Sequence, residues 1–143
     1  PAVLGVVMRS KVLYETDTRF VLKDTDRLKE YLFSLYADTI AERAYILFLN
    51  KGFRLIKYEL ICEGSIDEVY LDIKKAVRRA LMNHAAYVVL THNHPSGLVF
   101  PSDSDIISTR ELSEALNTVK IGFWDHVIVG GNQYYSFRES RNY

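Results

Sequence analysis

The sequence predicts an α/β or α+β domain in which a mixed sheet lies between helices. Short apolar, partly β-branched runs alternate along the chain with three stretches of helical periodicity. One of these runs, residues 85–91, is apolar enough for a central strand covered on both faces. With 143 residues, 48% of them hydrophobic, the chain can bury about two-thirds of its unfolded surface, so it needs neither disulfides nor a structural metal. Any metal it holds is therefore expected to serve function.

Taken in order, the opening Pro1–Met8 is apolar but lacks a basic flank and falls far short of the ~20 residues of a membrane span. It is expected to be a packed strand or helix within an N-terminal segment or linker remnant over 1–23. A start on Pro rather than Met suggests trimming, with further domains expected upstream. Asp24 or Thr25 then caps a helix whose Leu28, Tyr31, Leu32 and Leu35 form one apolar stripe. Ala44–Asn50, a Lys51-Gly52 turn and Phe53–Cys62 read as a β-hairpin.

A second helix keeps Val69, Ile73, Ala76, Val77, Ala80 and Leu81 on one face. Lys74, Lys75, Arg78 and Arg79 lie opposite, on a face that is either simply solvated or able to bind phosphate. The strand over 85–91 delivers the chain to His92. A third helix is expected from about Asp103 to Val119, opened by Ser102 and ended at Lys120-Ile121-Gly122. Trp124–Val129, the Gly130-Gly131-Asn132 turn and Tyr134–Phe137 complete the chain as strand, turn, strand.

Eighteen basic and 18 acidic side chains, with a pI near 7.4, argue against a polybasic nucleic-acid arm and an acidic tail, though a zero sum can hide a local patch, and they nominate no partner. The single cysteine, Cys62, forms no intrachain disulfide, which fits a reducing compartment and makes the cytoplasm the expected location.

The chemistry concentrates at His92-Asn93-His94-Pro95-Ser96-Gly97, followed by Ser102 and Asp105. In an extended segment residues i and i+2 face one side, so His92 and His94 can present both imidazoles to one point. Pro95 disfavours the helical region for His94 and keeps the pair extended. Zinc accepts imidazole nitrogen and carboxylate oxygen, with three protein ligands and a water in catalytic sites, and Asp105 is the candidate third ligand. Each part has a plainer reading. The histidines can be loop residues satisfied by backbone, and Ser102-x-x-Asp105 also fits a capping box. The whole arrangement, at the carboxyl end of a buried strand where α/β sheets place ligands, favours the site.

The spacing His-x-His-x7-Ser-x-x-Asp resembles the JAMM signature of MPN-domain metalloproteases. His92–Gly97, Pro101-Ser102, Thr109 and Asp125-His126 resemble the bacterial RadC family in particular. The resemblance runs from about Ala37 to the C-terminus and includes Ile121-Gly122 and Tyr135-Ser136-Phe137. It implies a cytidine-deaminase-like three-layer α/β/α fold over 24–143, with zinc held by His92, His94 and Asp105. It also implies an upstream glutamate as general base, which maps by position to Glu42. The residues alone do not select Glu42 over Glu59, Glu63 or Glu68.

On this resemblance Glu42 would take a proton from the zinc-activated water as it attacks a peptide or isopeptide carbonyl, and Ser102 would donate to the oxygen that becomes negative. Asp125 and His126 either orient a ligand imidazole or pack in the core, and His84 is expected to be structural. Chains of this family commonly carry Pro-Arg-Glu where Ile73-Lys74-Lys75 stands here. The family's name implies DNA association, which is expected to reside upstream, so a protein or peptide is the expected substrate. A non-catalytic assembly module is the second reading. A zinc deaminase is the third, and Asn93 with a lone cysteine argues against it, since that chemistry expects His-x-Glu and Pro-Cys-x-x-Cys.

Overall fold

Polar caps set where the elements begin. In the computed structural model, which describes residues 20–64 and 71–141, Asp24 is extended and its carboxylate accepts the Arg27 N–H at 2.8 Å, opening α1 (Thr25–Tyr36). The expected stripe of Leu28, Tyr31, Leu32 and Leu35 is buried. The expectations for Pro1–Met8 and for Val69 lie outside the described residues.

The hairpin pairs β1 (Arg43–Leu49) with β2 (Leu55–Glu63) in antiparallel register. Its turn is organised by the Asn50 side chain, which accepts from the N–H groups of Gly52 and Arg54 at 2.9 and 3.0 Å. Phe53 there adopts a left-handed φ of 62°. Leu22 closes against the same turn through its N–H to the Phe53 carbonyl at 2.8 Å.

Asp72 caps α2 (Ile73–Met82) by accepting the Lys75 N–H at 3.0 Å, and His84 takes a left-handed φ of 53° just past its end. The buried line of this helix narrows to Ala76 and Ala80. Leu81, expected in the stripe, is exposed because one residue on from Ala80 it is turned about 100° away. On the basic side, Arg79 pairs with Glu59 at 2.6 Å, which ties that guanidinium to the sheet.

Then come β3 (Tyr87–Asn93), α3 (Asp103–Thr118), β4 (Gly122–Gly130), β5 (Gln133–Ser136) and α4 (Phe137–Ser140). The last strand ends one residue earlier than expected. Ser136 is the N-cap of α4 and its hydroxyl accepts the Glu139 N–H at 3.1 Å, so Phe137 is helical.

The fold is α/β, with a mixed five-stranded sheet in the order β2-β1-β3-β4-β5 and four helices among the described residues. Only β3 and β4 run parallel, a pairing that needs a crossover connection, and α3 supplies it. Strand alternation sends neighbours to opposite faces. Tyr45, Leu47, Leu49, Val89, Val127 and Val129 pack with α1, whereas Ile46, Phe48, Val88 and Leu90 pack with Ala76 and Ala80 of α2 and Leu112 and Leu116 of α3. No helix among the described residues is long and apolar enough to cross a membrane.

Candidate metal centre

His92 lies on β3 with the parity of Val88 and Leu90, the face covered by α2 and α3, and it is fully buried. Asn93 has the opposite parity. Beyond β3 the chain stays against β4, because the His94 N–H donates to the Val129 carbonyl at 2.7 Å. It then turns through Pro95 and Gly97, whose φ is 86°. This loop rests on bare backbone: a Cβ at Gly130 would lie 2.8 Å from Val99 Cγ1 and 2.9 Å from the Gly97 carbonyl carbon.

The loop ends at a complete capping box. The Ser102 hydroxyl accepts the Asp105 N–H at 3.0 Å, and Asp105 Oδ2 accepts the Ser102 N–H at 2.9 Å. The capping reading of these two residues is therefore correct, yet it uses only one carboxylate oxygen. Asp105 Oδ1 is buried without a hydrogen-bond partner.

His92, His94 and Asp105 each offer a ligand atom, and these atoms lie within 4.8 Å of one another. His92 Nε2 is 3.0 Å from His94 Nε2 and 3.6 Å from Asp105 Oδ1. Burial acts to raise the Asp105 pKa, but the facing His92 ring and the Ser102 N–H outweigh it and bring the carboxyl down to about 2.

Behind this group lies a second layer of polar contacts. His92 Nδ1 is 2.9 Å from His126 Nε2, and His126 Nδ1 is 2.6 Å from the Thr109 hydroxyl. Thr109 also donates to the Asp105 carbonyl at 2.7 Å. The His126 ring stacks on Phe137 at 4.6 Å, and burial, with His92 adding to it, holds its pKa well below the ordinary imidazole value. His94 Nδ1 lies 2.6 Å from the Leu98 carbonyl. Asp125 faces away from the histidines: it accepts from the Ser136 hydroxyl at 2.6 Å and the Arg138 N–H at 3.0 Å, while burial pushes its carboxyl up to about 6. The Asp125-His126 pair thus divides, with only His126 touching a site imidazole. His84 is exposed at the end of α2 and stands apart from this group.

Glu42 sits immediately before β1, half-buried, and its carbonyl accepts the Gly64 N–H at 2.8 Å. It is not in the converging group. The register brings Ala44, two residues on, opposite His92. A residue with no role in the sequence-based site fastens this segment: Asn93 Oδ1 accepts the Arg43 N–H at 2.7 Å, and Asn93 Nδ2 donates to the Ala41 carbonyl at 3.0 Å. Its place between two same-sided histidines was the available signal, since it had to face the other way.

A cleft of about 540 Å³ opens beside His94, walled in part by Phe33, Tyr36, Ile40, Pro95 and Val129. Another, of about 490 Å³, lies between β2 and α2 and includes no histidine.

These features coincide with clear kinship. The model of the RadC-like JAB domain matches residues 22–142. Among curated proteins, the chain is 40% identical over 133 residues to a UPF0758 protein of Vibrio campbellii and 41% identical over 133 residues to one of Vibrio atlanticus. It is 34% identical over 135 residues to one of Aliivibrio fischeri. The alignments cover 92–94% of this chain and 59–60% of those relatives, so the chain spans well under two-thirds of their length. With the histidine strand, the capped α3 and the loop between them all inside the matched region, the chain belongs to the RadC-like JAB domain family.

Proposed function

We propose that this chain is a zinc-dependent peptidase or isopeptidase domain with His92, His94 and Asp105 as metal ligands. The observation that carries the reading is Asp105 Oδ1, a buried carboxylate oxygen with no hydrogen-bond partner, aimed at two imidazoles. A buried carboxylate oxygen without a hydrogen-bond donor is incompletely satisfied, and a shared cation would complete it. Two imidazole nitrogens and one carboxylate oxygen fit the three-ligand set of a catalytic zinc. When bound, zinc acts as a Lewis acid that makes water nucleophilic near neutral pH and polarises a carbonyl.

Around the ligands the chain supplies proton transfer and charge stabilisation. Glu42 serves as general base, taking a proton from the attacking water and returning it to the leaving amine. Ser102 accepts its cap bond through oxygen, and a hydroxyl can also donate, here toward the carbonyl oxygen as it becomes negative. The cleft beside His94 gives a substrate side chain an apolar wall of Phe33, Tyr36, Ile40 and Val129. A protein or peptide is the substrate class, in keeping with balanced charge. The same reading includes a cytoplasmic location and a cytidine-deaminase-like three-layer arrangement over 24–143. The arrangement draws support from the apolar clusters on opposite faces of the sheet.

Metal analysis of wild type beside His94→Ala tests the ligand set. Wild type is expected to carry about one zinc per chain and the variant almost none; equal zinc content in both refutes the site. Glu42→Gln is expected to keep zinc and lose cleavage of a panel of peptide and isopeptide substrates. Zinc binding without cleavage by wild type would favour an assembly module instead.

A further inference from the structure

With the imidazoles neutral, the protons in the buried contacts behind the site have one arrangement. The Thr109 hydroxyl lies 2.7 Å from the Asp105 carbonyl oxygen and 2.6 Å from His126 Nδ1, and each distance requires a proton between the atoms. A carbonyl oxygen carries none, and a hydroxyl carries one. Thr109 therefore donates to Asp105, and His126 donates to Thr109 from Nδ1. In the neutral imidazole the proton is then absent from His126 Nε2, so the 2.9 Å contact to His92 Nδ1 is filled by a proton that His92 supplies. His92 is left with a bare lone pair on Nε2.

The same rule applies to His94. Its Nδ1 lies 2.6 Å from the Leu98 carbonyl oxygen, which only accepts, so the proton is on Nδ1 and Nε2 is bare. With both rings neutral, the two Nε2 lone pairs 3.0 Å apart and Asp105 Oδ1, 3.6 Å from His92 Nε2, face one another as acceptors, and a shared proton or metal ion is what satisfies them.

We propose that Thr109 and His126 are positioning residues, forming a relay that starts at the Asp105 carbonyl and orients His92 with Nε2 toward the metal position. Asp105 anchors one end through its backbone carbonyl, and its Oδ1 faces His92 Nε2 at 3.6 Å at the other, so a cation held between them would close a ring through α3, β4 and β3. Thr109 can do this because it lies four residues after Asp105 on α3, one turn along the same face. His126 can do it because its backbone pairs with Leu90, two residues before His92 on the same side of the sheet. The Leu98 carbonyl performs the equivalent service for His94 from the loop.

The inference rests on the reading of the group as a metal centre, and two measurements separate the failure of each. The first is two-bond ¹H–¹⁵N correlation of histidine side chains in metal-free wild type at about pH 8, above the ordinary imidazole range. His126 protonated on Nδ1 is expected, and a proton on Nε2 of His126 overturns the relay whether or not zinc binds. The second is zinc affinity by chelator competition in Thr109→Val and Thr109→Ser. Loss of a partner behind a ligand histidine commonly weakens metal binding about 10–100-fold, and Thr109→Val is expected to fall in that range. Thr109→Ser, which keeps the hydroxyl, is expected to recover most of the loss. Equal affinity in wild type and Thr109→Val, or equal weakening in both variants, would sink the proposal. If wild type binds no zinc while His126 carries its proton on Nδ1, the relay stands and the metal reading falls.

Discussion

Asn93 and Arg43 are joined at 2.7 Å, side-chain oxygen to backbone N–H, across the end of the β1–β3 pair. With its amide nitrogen bonded to the Ala41 carbonyl, Asn93 holds the residues on either side of Glu42. The residue between the two histidines thus fixes the backbone of the proposed base while its neighbours face the proposed metal position.

Replacing Asn93 with Ala strips both bonds and leaves two backbone groups to find new partners. We expect a loss of about 1–3 kcal/mol in denaturant melts, together with zinc content equal to wild type. Substrate cleavage should fall far more than metal binding. An Asn93→Ala protein as stable as wild type would show that the clamp contributes nothing.

Asp105→Asn separates cap from ligand. An amide oxygen still accepts the Ser102 N–H, so the helix start should survive in the metal-free variant. Added zinc at a hundred times its dissociation constant should stabilise wild type by about 2.7 kcal/mol and leave the variant almost unchanged. Parallel thermal melts with and without zinc read out both effects, and an equal rise in melting temperature for the two proteins would contradict the ligand role.

Gly130→Ala probes the loop from behind. The added methyl meets Val99 and the Gly97 backbone, so the segment between His94 and Ser102 must move. Overpacking of this kind costs about 1–3 kcal/mol. Weaker zinc binding should accompany it although Gly130 is not in the converging group. Calorimetric titration showing wild-type affinity in a destabilised Gly130→Ala protein would mean that the loop's seat does not govern His94.

The buried Asp125 predicts a pH dependence with a definite sign. Its folded pKa of about 6 exceeds the ordinary 3.8, so between these values the folded protein holds a proton that the unfolded chain releases. The stabilisation is fully present below about pH 4 and is lost as pH rises through about 6, on the order of 2–3 kcal/mol. Asp125→Asn removes the titration. The stability difference between wild type and variant should therefore shift against wild type from about pH 4 to 6; a flat difference in urea melts would exclude it.

What was readable in advance was local. Ser102 and Asp105 are three residues apart, and capping chemistry acts over that span, so both the start of α3 and the nearness of the two side chains were legible. His92 and His94 shared a side because extended backbone has a period of two. The contacts of Asn93 with Arg43 and of Thr109 with His126 span 50 and 17 residues, and they depend on strand register and on how α3 docks. Nothing in those residues' own neighbourhoods encodes such distances. Phe137 failed for the opposite reason. Its apolar alternation continued a strand, and the cap formed by Ser136 decided in favour of a helix turn.

The capping box also bears on which ion the site selects. Because Asp105 Oδ2 is engaged by the Ser102 N–H, the carboxylate has one oxygen left to offer and would hold an ion in monodentate fashion. Calcium, which draws on six to eight oxygens and often grips carboxylates with both, finds a poor host here. Magnesium, which prefers oxygen in a strict octahedron, fares no better against two imidazoles. A helix-start motif, by occupying half of one side chain, tilts the donor set toward nitrogen-tolerant transition metals and against calcium and magnesium.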